Sequence, residues 1–501
     1  MATDKQEFPY AVLDVETTMI RDGEYPKTLF WGYADETGYY KFQTTRKLLA
    51  FLRSHPVHII LHHSNFDVLQ LLLDGANIQI LRSHNARLIR CKLGKQILLN
   101  SYSVFPLSLA SIFDCFGFKK TSLDDLEKRN YEDCVNGLDC FLRLDGIFSR
   151  LVAVSPLARG TIAGTSFQAA QLCAGSKMPE DKRFLEAYRG GRVEVFNTSK
   201  HECDKYDINS SYPYSILQCE PREELLCVQV RTKDFYCPLF DASQDEMLLF
   251  PNGTFQSWVY RSTLDRYILP HCAATKIRII SAESIDMSWL CSLKPLIEKL
   301  YRLKNESKTR GEKAIETACK LLLNSMYGRI GLKGDCERAR ILDYFPDGDE
   351  CTIYKLGKKR YLCFDSVFRE SKANFPFAAF ITDNARGRLY RGMVGASAYY
   401  GDTDSVIAPQ AKKYFDKHEP QGLECGQWKY EGREMFKANN VKDYFWGEEE
   451  VRKGGDGFIQ WTLKTLGSGK TPHQITRNRV SELRKRTEQD NGVTVPLVVK
   501  H

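Results

Sequence analysis

The chain has 501 residues, with 71 Lys and Arg against 63 Asp and Glu for a net charge of +8, 43% hydrophobic and 27% charged residues, and a mean hydropathy of −0.39. That length exceeds what one hydrophobic core organises, and the composition excludes a disordered chain, so two or more folded domains are expected. No run of eighteen apolar residues occurs, and the opening MATDKQEFPYAVLDVETT has neither a basic stretch nor an apolar core of leader type, which argues against membrane insertion and secretion. The 16 cysteines are scattered, with no CxxC pair, as in a reduced cytoplasmic protein rather than a disulfide scaffold. The last 51 residues, Val451 to His501, hold ten Lys/Arg and four Asp/Glu and so carry +6 of the +8; such a tail suits either a polyanionic partner or a solvated terminus.

In chain order, Tyr10 to Val15 and His58 to His62 are apolar runs of strand length, each followed by an acid or a turn cluster. Helical periodicity follows in Asp67 to Leu73 and Glu132 to Leu144, so the first 150 residues predict an α/β domain with acids at strand ends. A connecting stretch from about Val152 to Ser199 contains Tyr188-Arg189-Gly190-Gly191, where paired glycines predict a tight turn or a close backbone approach. A second domain begins near Cys203. Leu293 to Tyr327 predicts two helices broken near Ser307 to Gly311, Ile330 to Asn374 predicts hairpins and loop, and Ala378 to Met393 predicts a helix. No repeat or low-complexity tract is present.

Asp14 and Glu16, two apart on a strand, point to one face, where they suit a divalent cation; a solvated strand end is the alternative. Asp67 and Asp133 sit on helical segments. Further on, Tyr206-Asp207-Ile208-Asn209-Ser210-Ser211-Tyr212-Pro213 delivers an acid at a strand end, and Tyr400-Gly401-Asp402-Thr403-Asp404-Ser405 reads as a hairpin tip. Brought together, two such acidic tips make an oxygen-rich Mg2+ site. Between them, Lys320, Asn324 and Tyr327 share one helical face, which suits a triphosphate, a sugar and a base, and Lys308 lies twelve residues earlier, near the start of the same helical segment. The alternative there is a solvated lysine beside a buried Leu run capped by Gly328. Leu466 to Thr471 ends like a phosphate-binding loop, but Lys464 stands where its first Gly belongs.

The acids of the first domain resemble the DnaQ-like 3′-5′ exonuclease of proofreading polymerases, and the three later segments resemble motifs A, B and C of family B DNA polymerases. The resemblance implies an α+β multidomain fold, a DnaQ/RNase H-like exonuclease followed by a right-hand polymerase of palm, fingers and thumb. It implies that Asp14, Glu16, Asp67 and Asp133 hold exonuclease metals, that Asp207 and Asp404 hold the polymerase metals with Asp402 in support, and that Mg2+ or Mn2+ binds two per site. Lys308 and Lys320 would hold the incoming phosphates, Tyr212 would stack under the deoxyribose and exclude a 2′ hydroxyl, and Asn324 and Tyr327 would line the nascent base pair. Tyr188, Gly190 and Gly191 resemble the YxGG template-binding linker, and Lys442 and Tyr444 the KxY primer-terminus motif. Ser101 and Tyr102, followed by Phe105 and Pro106, resemble the segment that contacts a single-stranded 3′ end. Two positions depart from the family pattern: His63 stands where an Asn is usual, with Asn65 nearby, and Arg129 where a Tyr is usual.

The gaps between the motifs accommodate two insertions, as in protein-primed polymerases of bacteriophages and linear plasmids. The implied division is 1–150 exonuclease, 151–200 linker, 201–228 palm, 229–288 palm with a first terminal-protein-region insertion, 289–328 fingers, 329–374 second insertion, 375–450 palm and 451–501 basic thumb. The implied partners are primer-template DNA, dNTPs and a terminal protein, with no membrane, in a cytoplasm (the host's, if a virus encodes the chain). Two other possibilities stay open at this point: a nucleic-acid-primed polymerase of a mobile element, and a catalytically silent DNA-binding scaffold.

Overall fold

The structure is a computed structural model that describes residues 9–18, 26–62, 64–84, 87–119, 125–243, 248–343, 352–356, 360–368 and 370–452. His63, the loop-like 464–471 segment and all of the basic tail beyond Arg452 lie outside the described residues. The chain forms two compact units. One comprises Met1–Leu172, Glu298–Arg329 and Lys333–Ser371, the other Cys173–Ile297, Ile330–Leu332 and Lys372–His501. The first unit therefore gathers segments that are remote in sequence.

In the first unit, β1 (Tyr10–Thr17), β2 (Thr28–Asp35), β3 (Gly38–Phe42), β4 (His58–Leu61), β5 (Ile78–His84), β6 (Arg87–Leu93) and β7 (Gln96–Asn100) form one sheet in the order β3-β2-β1-β4-β7-β6-β5. β1, β4 and β7 run parallel at its centre, so their C-terminal ends emerge on the same side of the sheet. These strands are Val-, Ile- and Leu-rich because both faces are covered. The helix Leu126–Val152 lies over β1 and β2. Its buried stripe, from Asn130 through Asp133, Gly137, Phe141, Leu144 and Phe148, follows the three-and-four spacing of an amphipathic helix. It starts six residues before the Glu132 expected from periodicity, because Asp125 caps it by accepting from Lys128 N at 3.0 Å. Asp133 thus sits inside the helix rather than opening it.

Residues of the second candidate insertion form a three-stranded sheet, Asp335–Leu342, Tyr361–Phe368 and Thr352–Lys355, with the middle one central. It packs beside β5, where Ala339 N donates to Ser83 Oγ at 2.7 Å, and Leu362 and Phe364 join the core under the large sheet. The expected helix pair is present as Lys294–Arg310 and Lys313–Ile330, broken at Gly311, whose φ of +72° is a left-handed value open to glycine. Lys308 accordingly lies in the last turn of the first helix, not near the start of the segment that carries Lys320. Gly328 is interior to the second helix, which continues to Ile330, so it caps nothing. Within the unit the second helix is tied down by the Lys313–Asp114 ion pair at 2.9 Å and by Thr317 Oγ1 against Cys115 Sγ at 3.6 Å.

The second unit is built on another seven-stranded sheet. Its order is Glu449–Arg452, Asp443–Trp446, Trp428–Asn440, β9 (His201–Ile208), Ser405–Ala408, Tyr400–Asp402 and β8 (Val193–Val195). The helix Phe375–Ala396 packs on this sheet and is buried over almost its whole length, including the charged Asp383, Arg386 and Arg388. Arg222–Thr232, Gly253–Tyr260 and Thr275–Asp286 form a separate three-stranded sheet across the first candidate insertion. Among the described residues no helix is long and apolar enough to cross a membrane, and fourteen cysteines, among them Cys91, Cys134, Cys219 and Cys291, are free thiols.

Candidate active sites

In the first unit the four predicted carboxylates come from three elements. Asp14 and Glu16 project from β1, Asp67 from the helix Ser64–Leu73 that follows β4, and Asp133 from the long helix. All four lie within electrostatic reach of the buried Cys134 thiol. Burial pushes it well up, and the charges of Asp14, Asp133, Asp67 and Glu16 all add in the same direction. Asp67 is 3% exposed. Its carboxyl is held well above the usual range, first by burial and next by Asp14, against a donation from the Val15 N–H.

Around these acids, Asn130 Nδ2 donates to Asp14 Oδ2 at 2.8 Å. Arg129, at the departure from the family pattern, stands 3.7 Å from Asp133 Oδ2. Ser101 is fully buried and donates to the Leu61 carbonyl at 3.2 Å, whereas Tyr102 is half-buried with the Arg87 guanidinium 5.0 Å above its ring. Asn65 accepts from Leu88 N at 2.7 Å, so this amide is engaged in holding β6.

In the second unit the strand pairing sets Ser405 opposite Asp207, and Ile208 N donates to the Asp404 carbonyl at 2.7 Å. This register puts the Asp207 and Asp404 side chains at one sheet end. Asp207 is pushed up to about 8, by burial first and the Asp404 charge second. The tip is a tight two-residue turn with Thr403 at φ +53°, and Thr403 N donates to the Arg192 carbonyl at 2.7 Å. Asp402 is differently placed: its Oδ1 receives Lys442 Nζ at 2.5 Å and its Oδ2 receives the Tyr400 hydroxyl at 3.2 Å. Tyr444 is 7% exposed and packs on Tyr400, 5.0 Å between ring centroids.

Tyr212 lies in the first turn of the helix Ser211–Leu217. The Tyr188–Gly191 segment resolves the choice left by its paired glycines. Neither glycine has positive φ, and a Cβ at Gly191 would stand 2.8 Å from Thr403 Cγ2 and Oγ1 and from Tyr212 Oη. Close approach, not a turn, requires it. Tyr188 likewise covers Gly331, where a Cβ would fall 2.5 Å from the ring.

Arg386 holds this segment from below, donating to the carbonyls of Arg189 at 2.7 Å and Gly190 at 3.0 Å, with Asp383 beside it at 3.4 Å. Sequence reasoning passed over Arg386. Its signal was present: acid and base three residues apart in a helix that also carries Arg388 and Arg391. Lys308, Lys320, Asn324 and Tyr327 belong to the first unit. There Lys320 and Asn324 are exposed and Tyr327 half-exposed on the face opposite the buried Leu322, Leu323 and Met326.

The donor chemistry at both sites fits hard divalent cations, since each sets carboxylates that are buried or partly buried near one another. Among the described residues no three His, Cys, Asp or Glu side chains converge closely enough to hold an ion alone. Water and bound phosphates would complete the shell, as Mg2+ prefers. A pH dependence follows. Asp207 keeps a proton in the folded chain that the unfolded chain releases near its ordinary value of 3.8, so cation-free stability falls as pH rises from about 4 to 8. Asp207→Asn removes that loss. In EDTA at pH 8.5 the variant is expected to melt roughly 2–6 °C above the parent, and the gap should close at pH 4; equal melting at both values would contradict the repulsion.

Residues 174–345 match the model of a family described as DNA polymerase type B, organellar and viral. A probable DNA polymerase of Podospora anserina is 26% identical over 164 residues, 29% of this chain and only 13% of that relative's length. Among solved structures, phi29 DNA polymerase complexed with primer-template DNA and incoming nucleotide substrates superposes with a TM-score of 0.66 at 16% identity over 90% of each chain. Its binary complex with primer-template DNA gives 0.65 at 17% identity over the same shares. The fold is thus the one expected from the motifs, a mixed α/β multidomain polymerase architecture.

Proposed function

We propose that the chain is a DNA-templated DNA polymerase with a 3′-5′ exonuclease, copying a viral or linear-plasmid genome from a terminal-protein primer with strand displacement. The observation that carries the polymerase is the pairing of Ser405 with Asp207, which sets Asp207 and Asp404 at one sheet end in mutual repulsion. Asp207 and Asp404 would hold divalent cations there, which would supply Lewis-acid activation of the primer 3′ hydroxyl and charge neutralisation of the pyrophosphate leaving group.

The chain's own groups do the rest. Lys442 on Asp402 fixes the base of the hairpin and, with Tyr444, the primer terminus. Tyr188, Gly190 and Gly191 carry the template strand. Lys308 and Lys320 bind the incoming phosphates, and Asn324 and Tyr327 line the base pair. In the first unit Asp14, Glu16, Asp67 and Asp133 serve hydrolysis, with Tyr102 bordering the 3′ end.

Primer extension with Mg2+ or Mn2+ and dNTPs tests the reading, and no extension would end it. Protein priming is tested separately, by transfer of a labelled dNMP to a candidate terminal protein. Tyr212, whose hydroxyl lies against the Gly191 main chain, bars a 2′ hydroxyl in this reading. Tyr212→Val is expected to raise ribonucleotide incorporation by on the order of a hundredfold, and unchanged sugar selectivity would remove that role.

A further inference from the structure

Resting on the exonuclease reading, we infer that Asn130 is a positioning residue of the hydrolytic site: its amide, oriented by Tyr39 and admitted by Gly32, fixes the Asp14 carboxylate in the orientation that receives a cation. Asn130 is fully buried. Its Nδ2 donates to Asp14 Oδ2 at 2.8 Å and reaches the Asp14 carbonyl at 3.4 Å, so one amide ties both the side chain and the main chain of this acid. A side-chain amide is able to face a carboxylate with either end, and only the NH2 end is favourable. Here the far end is held too, because the Tyr39 hydroxyl donates to Asn130 Oδ1 at 2.9 Å.

The space is equally specific. A Cβ at position 32 would lie 1.7 Å from Asn130 Oδ1 and 2.8 Å from its Cγ, so only glycine in β2 leaves room for the amide. Three elements, β2, β3 and the long helix, thereby converge on one amide that faces the Asp14 carboxylate. A buried asparagine whose amide donates to both the side chain and the main chain of a candidate cation ligand is more than packing: partners of this kind typically change metal affinity about 10–100-fold.

The test uses the full chain carrying Asp207→Asn and Asp404→Asn, which leaves the N-terminal carboxylates as the cation site, titrated with Mn2+ alone and followed by electron paramagnetic resonance. Asn130→Ala is expected to weaken Mn2+ binding about tenfold. It should raise the Mn2+ needed for half-maximal hydrolysis of single-stranded DNA by the same factor, with the rate at saturating Mn2+ recovering to within about threefold. Tyr39→Phe should give the same signature at about two- to fivefold and decides the matter if Asn130→Ala does not fold.

Unchanged Mn2+ affinity in these variants, with Asp14→Ala abolishing both binding and hydrolysis, would overturn the role of Asn130 while leaving the exonuclease intact. If Asp14→Ala itself changes neither quantity, the exonuclease reading falls and this inference falls with it.

Discussion

Asp404→Ala is expected to reduce nucleotide incorporation by on the order of a thousandfold or more while 3′-5′ hydrolysis of single-stranded DNA continues at the parental rate. Asp404 stands at the end of a two-residue hairpin turn, and its carbonyl accepts from Ile208 N, one residue beyond Asp207. Removing its carboxylate leaves Asp207 as the remaining acid of the pair, and Asp402 is poorly placed to substitute because Lys442 and Tyr400 already engage both of its oxygens. The fold should survive, since a buried like-charge contact is relieved rather than created. Comparing single-turnover incorporation and hydrolysis on the same preparation checks this. Retained extension would mean that Asp404 is not a catalytic ligand.

The double variant Asp14→Ala, Glu16→Ala should show the reverse, a loss of hydrolysis on the order of a thousandfold with primer extension retained. Both acids lie on β1, and Asp14 is the charge that contributes most, after burial, to raising Asp67. Its removal releases Asp67 toward ordinary ionisation but breaks the set of carboxylates that surrounds Cys134. Quantifying 3′-end degradation of a labelled oligonucleotide with Mg2+ and with Mn2+ is the measurement. Parental degradation by the double variant would detach these residues from hydrolysis.

Asp207, Asp402 and Asp404 were legible as candidates because they sit where strands end or turn, and strand ends announce themselves by a change in local pattern. Tyr400 to Ala408 read as a hairpin and is one, and the break between the two long helices fell at Gly311 as the composition indicated. Lys320 and Asn324 share the exposed face that their spacing implied.

What escaped was set by contacts between remote residues. Tyr39 and Asn130 are 91 positions apart, and no periodicity connects a tyrosine in a short strand with an amide on a helix. Arg386 reaches main-chain carbonyls nearly 200 positions away. The early start of the helix at Leu126 depended on a cap, Asp125, separated from the apolar stripe by a polar turn that dilutes the helical signal. Ser101, for which the resemblance implied contact with a single-stranded 3′ end, is fully buried and its hydroxyl serves the end of β4.

The contact among Gly191, Tyr212 and Thr403 bears on how this sequence is free to drift. Any side chain at 191 would collide with two neighbours contributed by separate segments, so a change at 191 is expected only where 212 and 403 have both become smaller. A smaller residue at 212 relieves only one of the two collisions. Libraries that randomise position 191 alone would therefore score it as intolerant, and only combinatorial ones that also vary 212 and 403 would uncover the exchanges that the packing permits.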